Sequence, residues 1–520
     1  MNSRLLNHIK TLLLPCLAFS VLTGFLSAIL VTAFKLAAEW VIHISSTVYG
    51  AVRSDPVWIP LLVLGAVAVG LVSSFILSKS RSCRGGGIPT SVAAIRGLVS
   101  FRWFASIFIL PFSALLTFFG GLPLGTEGPC VQMGTAVGDG VVNRLGGKNH
   151  RGWRRYIMTG GAAAGFSIAT SSPISAILFS IEELHKHFSP LLITVASLSV
   201  ATAQVTVQIL AALGIGSVSL FCLPDIPENY PKLLFAPVLA GLVCGGASIL
   251  FTRFYQTVDR VVHVALKKVS TKILFPMFFG CVSLVGLFLA DALGTGHDLV
   301  DSLFHGRATW YLLILVFLVR ALLMMISNTA GVTGGVFLPT LAFGAIIGSL
   351  CAEIMTALGW ISPDYYVLIV VLGITAFLGA TSRIPVTACA FAIEALGGIK
   401  NVLPVIIAIT VAFLTVELSG LEDFTDTIIE AKVRKITRGK KPMVVESALT
   451  VTAGSFVEGK ELRDILWPYS CVVVSFERAQ KNKGLTTIEE GDIITVHYKT
   501  YAPEGTAEEL YTLVGEQSNK

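Results

Sequence analysis

Eight runs of apolar residues, each long enough to cross the hydrocarbon of a bilayer, set the first limit on what this chain can become. They are 11–34, 57–78, 190–215, 231–251, 273–293, 309–327, 364–380 and 401–418. A hydrocarbon core about 30 Å thick takes about 20 helical residues. Backbone polar groups inside it must be satisfied within the protein, which admits helices and closed barrels. Solid apolar runs are the helical signal, because barrel strands alternate in short segments. Charge supports this reading: of 520 residues, 13% are charged and 54% hydrophobic, whereas soluble domains carry about 25% charged residues. The expected fold class is an all-α polytopic membrane protein. The first run is too long for the core of a signal peptide and reads as a permanent helix.

The net charge of +6 is unevenly spread. KVRKITRGKK, 432–441, follows the last apolar run, and RSCR, 81–84, and KNHRGWRR, 148–155, are also basic. Lys and Arg beside membrane segments favour the cytoplasmic side, so these loops and the C-terminus are expected there. Because each basic stretch flanks a membrane segment, the reading is headgroup contact rather than nucleic acid. Nine cysteines lie scattered with no CxxC; they read as buried thiols rather than as a metal or redox site.

Near residue 440 the chain changes character. ALTVTAG, CVVVSFER and DIITVHYK read as strands, and EGKELRDILW and TAEELYTLVG as short helices. The expectation is a small α+β unit, β-α-β-β-α, over 443–517, after a membrane domain over 1–440. GSFVEGKELRDI, CVVVSFER and EEGDIITV resemble the C-terminal regulatory module of potassium-transport proteins, the RCK-C or TrkA-C family. That resemblance implies a regulatory module that dimerises and binds a small ligand, such as the cyclic dinucleotide cyclic di-AMP.

The membrane part repeats itself. GTEGPCVQMGTAVGDG, from 125, parallels GGVFLPTLAFGAIIGS, from 334, and ATSSPISAILFSIEEL, from 169, parallels ATSRIPVTACAFAIEAL, from 380. Pro129 and Pro339 are 210 residues apart; Pro173 and Pro385, like Glu182 and Glu394, are 212 apart. The chain therefore reads as two related halves, roughly 15–215 and 230–435. Transporter repeats often bind substrate where they meet, near the midplane, on broken helices.

Three turns carry the chemistry: GGGIP at 85–89, GTEGP at 125–129 and GGVFLP at 334–339. Proline suits the first turn of a helix, where its missing N–H is not needed. Each turn thus starts a helix whose free N–H groups sit at a positive dipole end. In hydrocarbon those groups require partners, and an anion satisfies them. Three such ends bind a small anion without a full positive charge, so binding stays weak enough for release. Glu127 is itself an anion at one of them. Burial opposes its charge and the N–H groups favour it, so it can occupy the site, protonate or leave. Intramembrane carboxylates are functional by default.

GGGIP, GTEGP and GGVFLP, in this order and spacing, resemble the signature motifs of the CLC family of chloride channels and chloride/proton exchangers, over residues 15–435. The resemblance implies a homodimer with one anion pathway per subunit, built from about 17–18 helices in inverted repeats. It implies that Glu127 is the outer gating glutamate and that Glu183 is the inner proton-transfer glutamate of many exchangers. It implies that the backbone donors of Val336 and Phe337, with Gly86, Gly87, Ile88 and Gly128, line the anion path. Glu182, whose repeat partner Glu394 shares its setting, reads as structural. Two positions depart from the pattern. The serine usual in the first motif is Gly86, and the tyrosine whose hydroxyl usually completes the anion site is Thr425, by its spacing before Ile428 and Ile429, so the resemblance implies Thr425 as an anion-binding position. A smaller Gly/Thr pair implies a wider inner mouth and weaker anion binding.

The functional expectation is chloride transport, as a chloride/proton antiporter gated by Glu127 and controlled through the C-terminal module. The alternatives are a passive chloride channel with weak or no proton coupling, and a fluoride-selective relative. Chloride is substrate, and no cofactor or metal is expected. A cation transporter calls for a filter such as TVGYG, and an enzyme for a nucleophile–base pair or metal ligands; neither stands out, and His185 and His187 read as residues at a helix end. A module of this type in place of paired CBS modules points to the plasma membrane of a prokaryote.

Overall fold

In the computed structural model of the protein, the described residues are 14–99, 101–145, 150–216, 221, 234–266, 269–306, 309–397, 401–437, 442–468, 470–478, 487–500 and 503–516. The basic linker at 438–441 and the loop at 146–149 lie outside them.

Seventeen α-helices run from Leu14 to Thr437 among these residues. The first half holds α1 (Leu14–Ser54), α2 (Ile59–Lys79), α3 (Ile88–Ile95), α4 (Trp103–Phe119), α5 (Glu127–Leu145), α6 (His150–Thr170), α7 (Pro173–Phe179) and α8 (Pro190–Ala212). The second holds α9 (Phe235–Leu266), α10 (Thr271–Phe288), α11 (His297–His305), α12 (Trp310–Ala330), α13 (Phe337–Ala357), α14 (Tyr366–Thr381), α15 (Pro385–Ala395), α16 (Val402–Leu418) and α17 (Phe424–Thr437). Among the described residues, eight helices are long and apolar enough to span a membrane. α1, with 41 residues, is about 60 Å long and fits a bilayer only by tilting or projecting. α3, with 8 residues, and α7, with 7, are too short to cross.

The repeat shows in how backbones approach. A Cβ on Gly138 of α5 meets the Ile157 carbonyl of α6 at 2.3 Å, and one on Gly348 of α13 meets the Ile369 carbonyl of α14 at 2.8 Å. Small residues let membrane helices close to van der Waals contact of their main chains, and both halves use them at corresponding places. These four helices form the centre of the buried core.

The C-terminal unit is a three-stranded antiparallel sheet, order β1-β3-β2, of β1 (Met443–Thr450), β2 (Cys471–Glu477) and β3 (Ile493–Thr500), followed by α18 (Pro503–Val514). The helix expected over 458–467 is absent; only a single turn, Leu462–Asp464, forms. Gly459 at φ +77° and Pro468 bracket the segment, and its carbonyls bond elsewhere. The Tyr156 hydroxyl of α6 donates to the Asp464 carbonyl and accepts from the Leu466 N–H. Arg155 donates to the Leu466 carbonyl at 3.2 Å and pairs with Glu509 of α18 at 2.9 Å. Trp153, Tyr156 and Leu192 share one apolar core with Phe456, Val457, Ile465 and Leu466. The unit therefore sits against α6 and the start of α8, as well as following α17 in the chain.

Candidate functional site

The three glycine–proline turns converge. Gly125 and Gly335 pair as an antiparallel bridge, donating to each other's carbonyls at 2.7 and 2.8 Å. A Cβ on Gly128 lies 2.5 Å from the Gly335 Cα and 3.0 Å from the Gly87 Cα. Gly87, at φ +123°, opens α3; Gly128 lies in the first turn of α5; Gly335 precedes α13. No side chain larger than hydrogen fits where they meet. Thr333 ties the third turn further, donating to the Cys83 carbonyl at 3.0 Å and accepting from the Ser113 hydroxyl at 2.9 Å.

Val336 and Phe337 begin α13 without a side-chain cap, so their N–H groups are of the kind a helix leaves unpaired at its start. The Phe337 ring packs edge-on against Phe166 at 5.1 Å and Phe391 at 5.9 Å, which holds the first turn of α13 in place from both halves. Ile88 is buried at the start of α3. The Gly87 N–H is already taken: it donates to the Gln132 Oε1 at 2.7 Å. Gln132 of α5 also donates to the Ser82 carbonyl at 3.1 Å and the Ser106 hydroxyl at 3.2 Å. At Gly86 the space is not open. A Cβ there meets Leu110 Cδ1 at 2.6 Å and Gln132 Oε1 at 2.8 Å, so loss of the usual serine is accompanied by filling, not by a hole.

Glu127, the first residue of α5, is 1% exposed. Its Oε1 accepts from the Thr126 hydroxyl at 3.3 Å. Its Oε2 has no partner among the described residues and lies over Gly125, beside Leu338 and Pro339 of α13. The carboxyl thus lies beside the first turn of α13, the helix that Val336 and Phe337 begin.

A second group forms on the side of the C-terminal unit. Glu183, 2% exposed, lies on a π-helical turn, Ser180–His185, that follows α7; such turns often mark functional sites. The Thr425 hydroxyl of α17 faces the Glu183 carboxyl, and Glu183 Oε2 has no partner among the described residues. Arg96, just past α3, donates to the Glu183 carbonyl at 2.9 Å, the Leu184 carbonyl at 3.2 Å and Asp426 at 2.8 Å. Lys186, in left-handed conformation at φ +54°, pairs with Asp423 and, at 2.6 Å, with Asp426. Lys432, one heptad beyond Thr425, donates to the Arg84 carbonyl at 3.0 Å and the Thr90 hydroxyl at 2.5 Å, beside the first turn.

The structure thus gathers Gly87, Ile88, Gly128, Val336, Phe337 and Glu127 at one place, and sets Thr425 with Glu183 at another. Sequence reading missed Gln132, Arg96, Lys186, Asp423 and Asp426. The one signal for the last two was the density of acids in LEDFTD around Thr425.

Comparison with known proteins places this architecture. A family model described as voltage gated chloride channel matches residues 64–417. The H(+)/Cl(-) exchange transporter ClcA of Vibrio vulnificus is 28% identical over 416 residues, covering 78% of this chain and 87% of that protein. ClcA of Citrobacter koseri is 27% identical over 440 residues, covering 83% and 91%. Among solved structures, a slow cyanobacterial Cl-/H+ antiporter aligns with TM-score 0.73 at 21% identity, over 81% of this chain and 98% of that one. A CLC-type fluoride/proton antiporter aligns with TM-score 0.65 at 20% identity, over 77% and 95%. The fold, the paired halves and the matched span lead to one conclusion: this chain belongs to the voltage gated chloride channel family.

Proposed function

We propose that the protein exchanges chloride for protons across the membrane. The observation that carries this reading is the meeting of three helix starts at Gly87, Gly128 and Gly335, with the buried Glu127 Oε2, which has no partner among the described residues, beside the first turn of α13. Main-chain dipoles there favour a small anion. The N–H groups of Val336 and Phe337, with Ile88 and Gly128 around them, are the proposed chloride donors. Glu127, as carboxylate, competes for the same donors; protonated, it leaves them to chloride. Alternation of the two occupants links one chloride step to one protonation event. Glu183 is the proposed proton carrier on the other side, and Thr425 faces it. The names of the curated relatives, H(+)/Cl(-) exchange transporters, support an exchanger over a passive channel.

The wider assignment is a homodimer in the plasma membrane of a prokaryote, with the C-terminal unit in the cytoplasm. The basic residues at the end of α17, Arg434 and Lys435, support that orientation. The C-terminal unit is proposed as an RCK-C-like module that binds a small ligand, a cyclic dinucleotide such as cyclic di-AMP, and regulates transport. Its bonds to α6 through Tyr156 and Arg155 offer a route to the π turn, because the Thr159 hydroxyl donates to the Arg155 carbonyl and meets His185 at 2.7 Å.

The test is flux in proteoliposomes. A chloride gradient is expected to drive protons uphill in the protein, and Glu127→Gln to abolish proton movement while leaving pH-insensitive chloride flux. Fluoride and nitrate, offered in place of chloride, define selectivity. Chloride flux that leaves an opposing proton gradient untouched contradicts the exchanger reading.

A further inference from the structure

Three carboxyls gather at one place: Glu183, Asp423 and Asp426. Two cations face them, Arg96 and Lys186. Glu183 is 2% and Asp423 4% exposed. On the same π turn as Glu183, His185 meets Thr159. Glu422, which faces both Asp426 and Glu430, is exposed, as is Glu430. Arg155 and His187 face His185. Two cations therefore face three carboxyls; the Lys186 and Asp426 side chains are 42% and 26% exposed, whereas Glu183 and Asp423 are buried, so one of these two carboxylates would be unpaired in a dry setting. Burying an uncompensated charge is costly enough that such a group takes up a proton instead.

The partners say which acids share it. Asp426 touches both cations, Arg96 at 2.8 Å and Lys186 at 2.6 Å, and stays ionised. Asp423 shares Lys186 with Asp426 and accepts the Asp426 N–H at 2.5 Å through Oδ1, as the N-cap of α17. Glu183 has Oε2 unpaired. Lys186 is the movable element: its side chain is 42% exposed and can lean wholly on Asp426 when Asp423 is neutral.

We propose that this cluster holds one mobile proton, shared between Glu183 and Asp423, and that Asp423 is the group through which protons pass between the aqueous phase on the module side and Glu183. In the inward step, Asp423 Oδ2–H breaks and a proton reaches Glu183 Oε2, with the Thr425 hydroxyl alongside. Asp423, now a carboxylate, regains Lys186; once Glu183 has passed its proton on, Asp423 takes up a new proton from the aqueous phase. Nothing is oxidised or reduced. This rests on the exchanger reading and adds to it a second protonatable residue.

The experiment uses the full chain in proteoliposomes, with chloride and proton fluxes measured together across a series of internal pH values. Asp423→Asn keeps the α17 cap and loses the proton. It is expected to lower proton flux roughly tenfold or more, with chloride flux within about twofold, so that the proton:chloride ratio falls. Asp423→Glu is expected to restore the ratio. Asp423→Ser, which also caps a helix, replaces Asn if that variant is not monodisperse. Asp426→Asn leaves two carboxylates for the two cations, so the shared proton is expected to be lost and the ratio to fall as well. A wild-type ratio and pH profile in Asp423→Asn overturns the proposal. If the wild-type protein itself moves no protons, the exchanger reading fails first. The relay is then judged by the protonated-carboxyl infrared band at neutral pH: its loss or shift in Asp423→Asn supports the shared proton, and an unchanged band overturns it.

Discussion

Glu182 and Glu394 cap each other's repeats. Glu182 accepts the N–H groups of Val386 and Thr387 at 3.1 and 2.7 Å and the Thr387 hydroxyl at 2.7 Å, at the start of α15. Glu394 accepts those of Ile174 and Ser175 at 2.7 and 2.8 Å and the Ser175 hydroxyl at 2.7 Å, at the start of α7. Each acid therefore satisfies the open end of a short helix in the opposite half. The 212-residue offset seen in the sequence is a pseudo-two-fold axis in the structure, and the neighbour of Glu183 is thereby given a structural task.

From this reciprocity, Glu182→Ala and Glu394→Ala are each expected to destabilise the protein by about 1–3 kcal/mol, the cost of leaving the donors of the buried Thr387 and Ser175 unpaired. The Gln variants, which keep one accepting oxygen, lose less. Thermal unfolding in detergent checks the order. The proton:chloride ratio of the folded variants is expected to stay at the wild-type value.

The convergence of the three turns makes a steric prediction. Gly128→Ala places a methyl 2.5 Å from the Gly335 Cα, main chain against main chain, so the turns must separate. Chloride binding measured by calorimetry is expected to fall roughly tenfold or more, each 1.4 kcal/mol of lost affinity being tenfold. Gly246→Ala, on α9 with open space around its Cβ position, is expected to bind chloride as the unaltered protein does.

Docking of the C-terminal unit turns on one hydroxyl. Tyr156→Phe removes both its bond to the Asp464 carbonyl and the acceptor of the Leu466 N–H. The docked arrangement is expected to weaken by about 1–3 kcal/mol, since a buried N–H is left without a partner. Hydrogen exchange checks this: amides at 456–467 lose protection in the variant, while those of α13 keep theirs. Unchanged exchange at 456–467 contradicts the docking role given to Tyr156.

What the sequence disclosed, and what it withheld, follows from range. The turns at 85–89, 125–129 and 334–339 were legible because glycine and proline act on their own few residues, and the repeat was legible because it recurs along the chain. Glu127 stood out as a carboxylate in an apolar setting. Gln132 did not, because its meaning depends on the Gly87 N–H 45 residues away. The Arg96–Asp426 pair, 330 residues apart, leaves no local mark either. The helix expected over 458–467 was misread because EGKELRDILW has good helical composition, but its carbonyls are committed to Tyr156 and Arg155. At Gly86 the side chain lost was read as a void, since the sequence does not show Leu110 and Gln132 moving in.

The account rests on uncharged main-chain donors and one acid contending for the same place. The most direct measurement is anomalous scattering from bromide in crystals of the wild-type protein and of Glu127→Gln. The account predicts a bromide peak within hydrogen-bonding reach of the Val336 and Phe337 N–H groups, stronger when Glu127 is neutralised. Density for a cation there, or bromide bound only away from the meeting point of Gly87, Gly128 and Gly335, contradicts it.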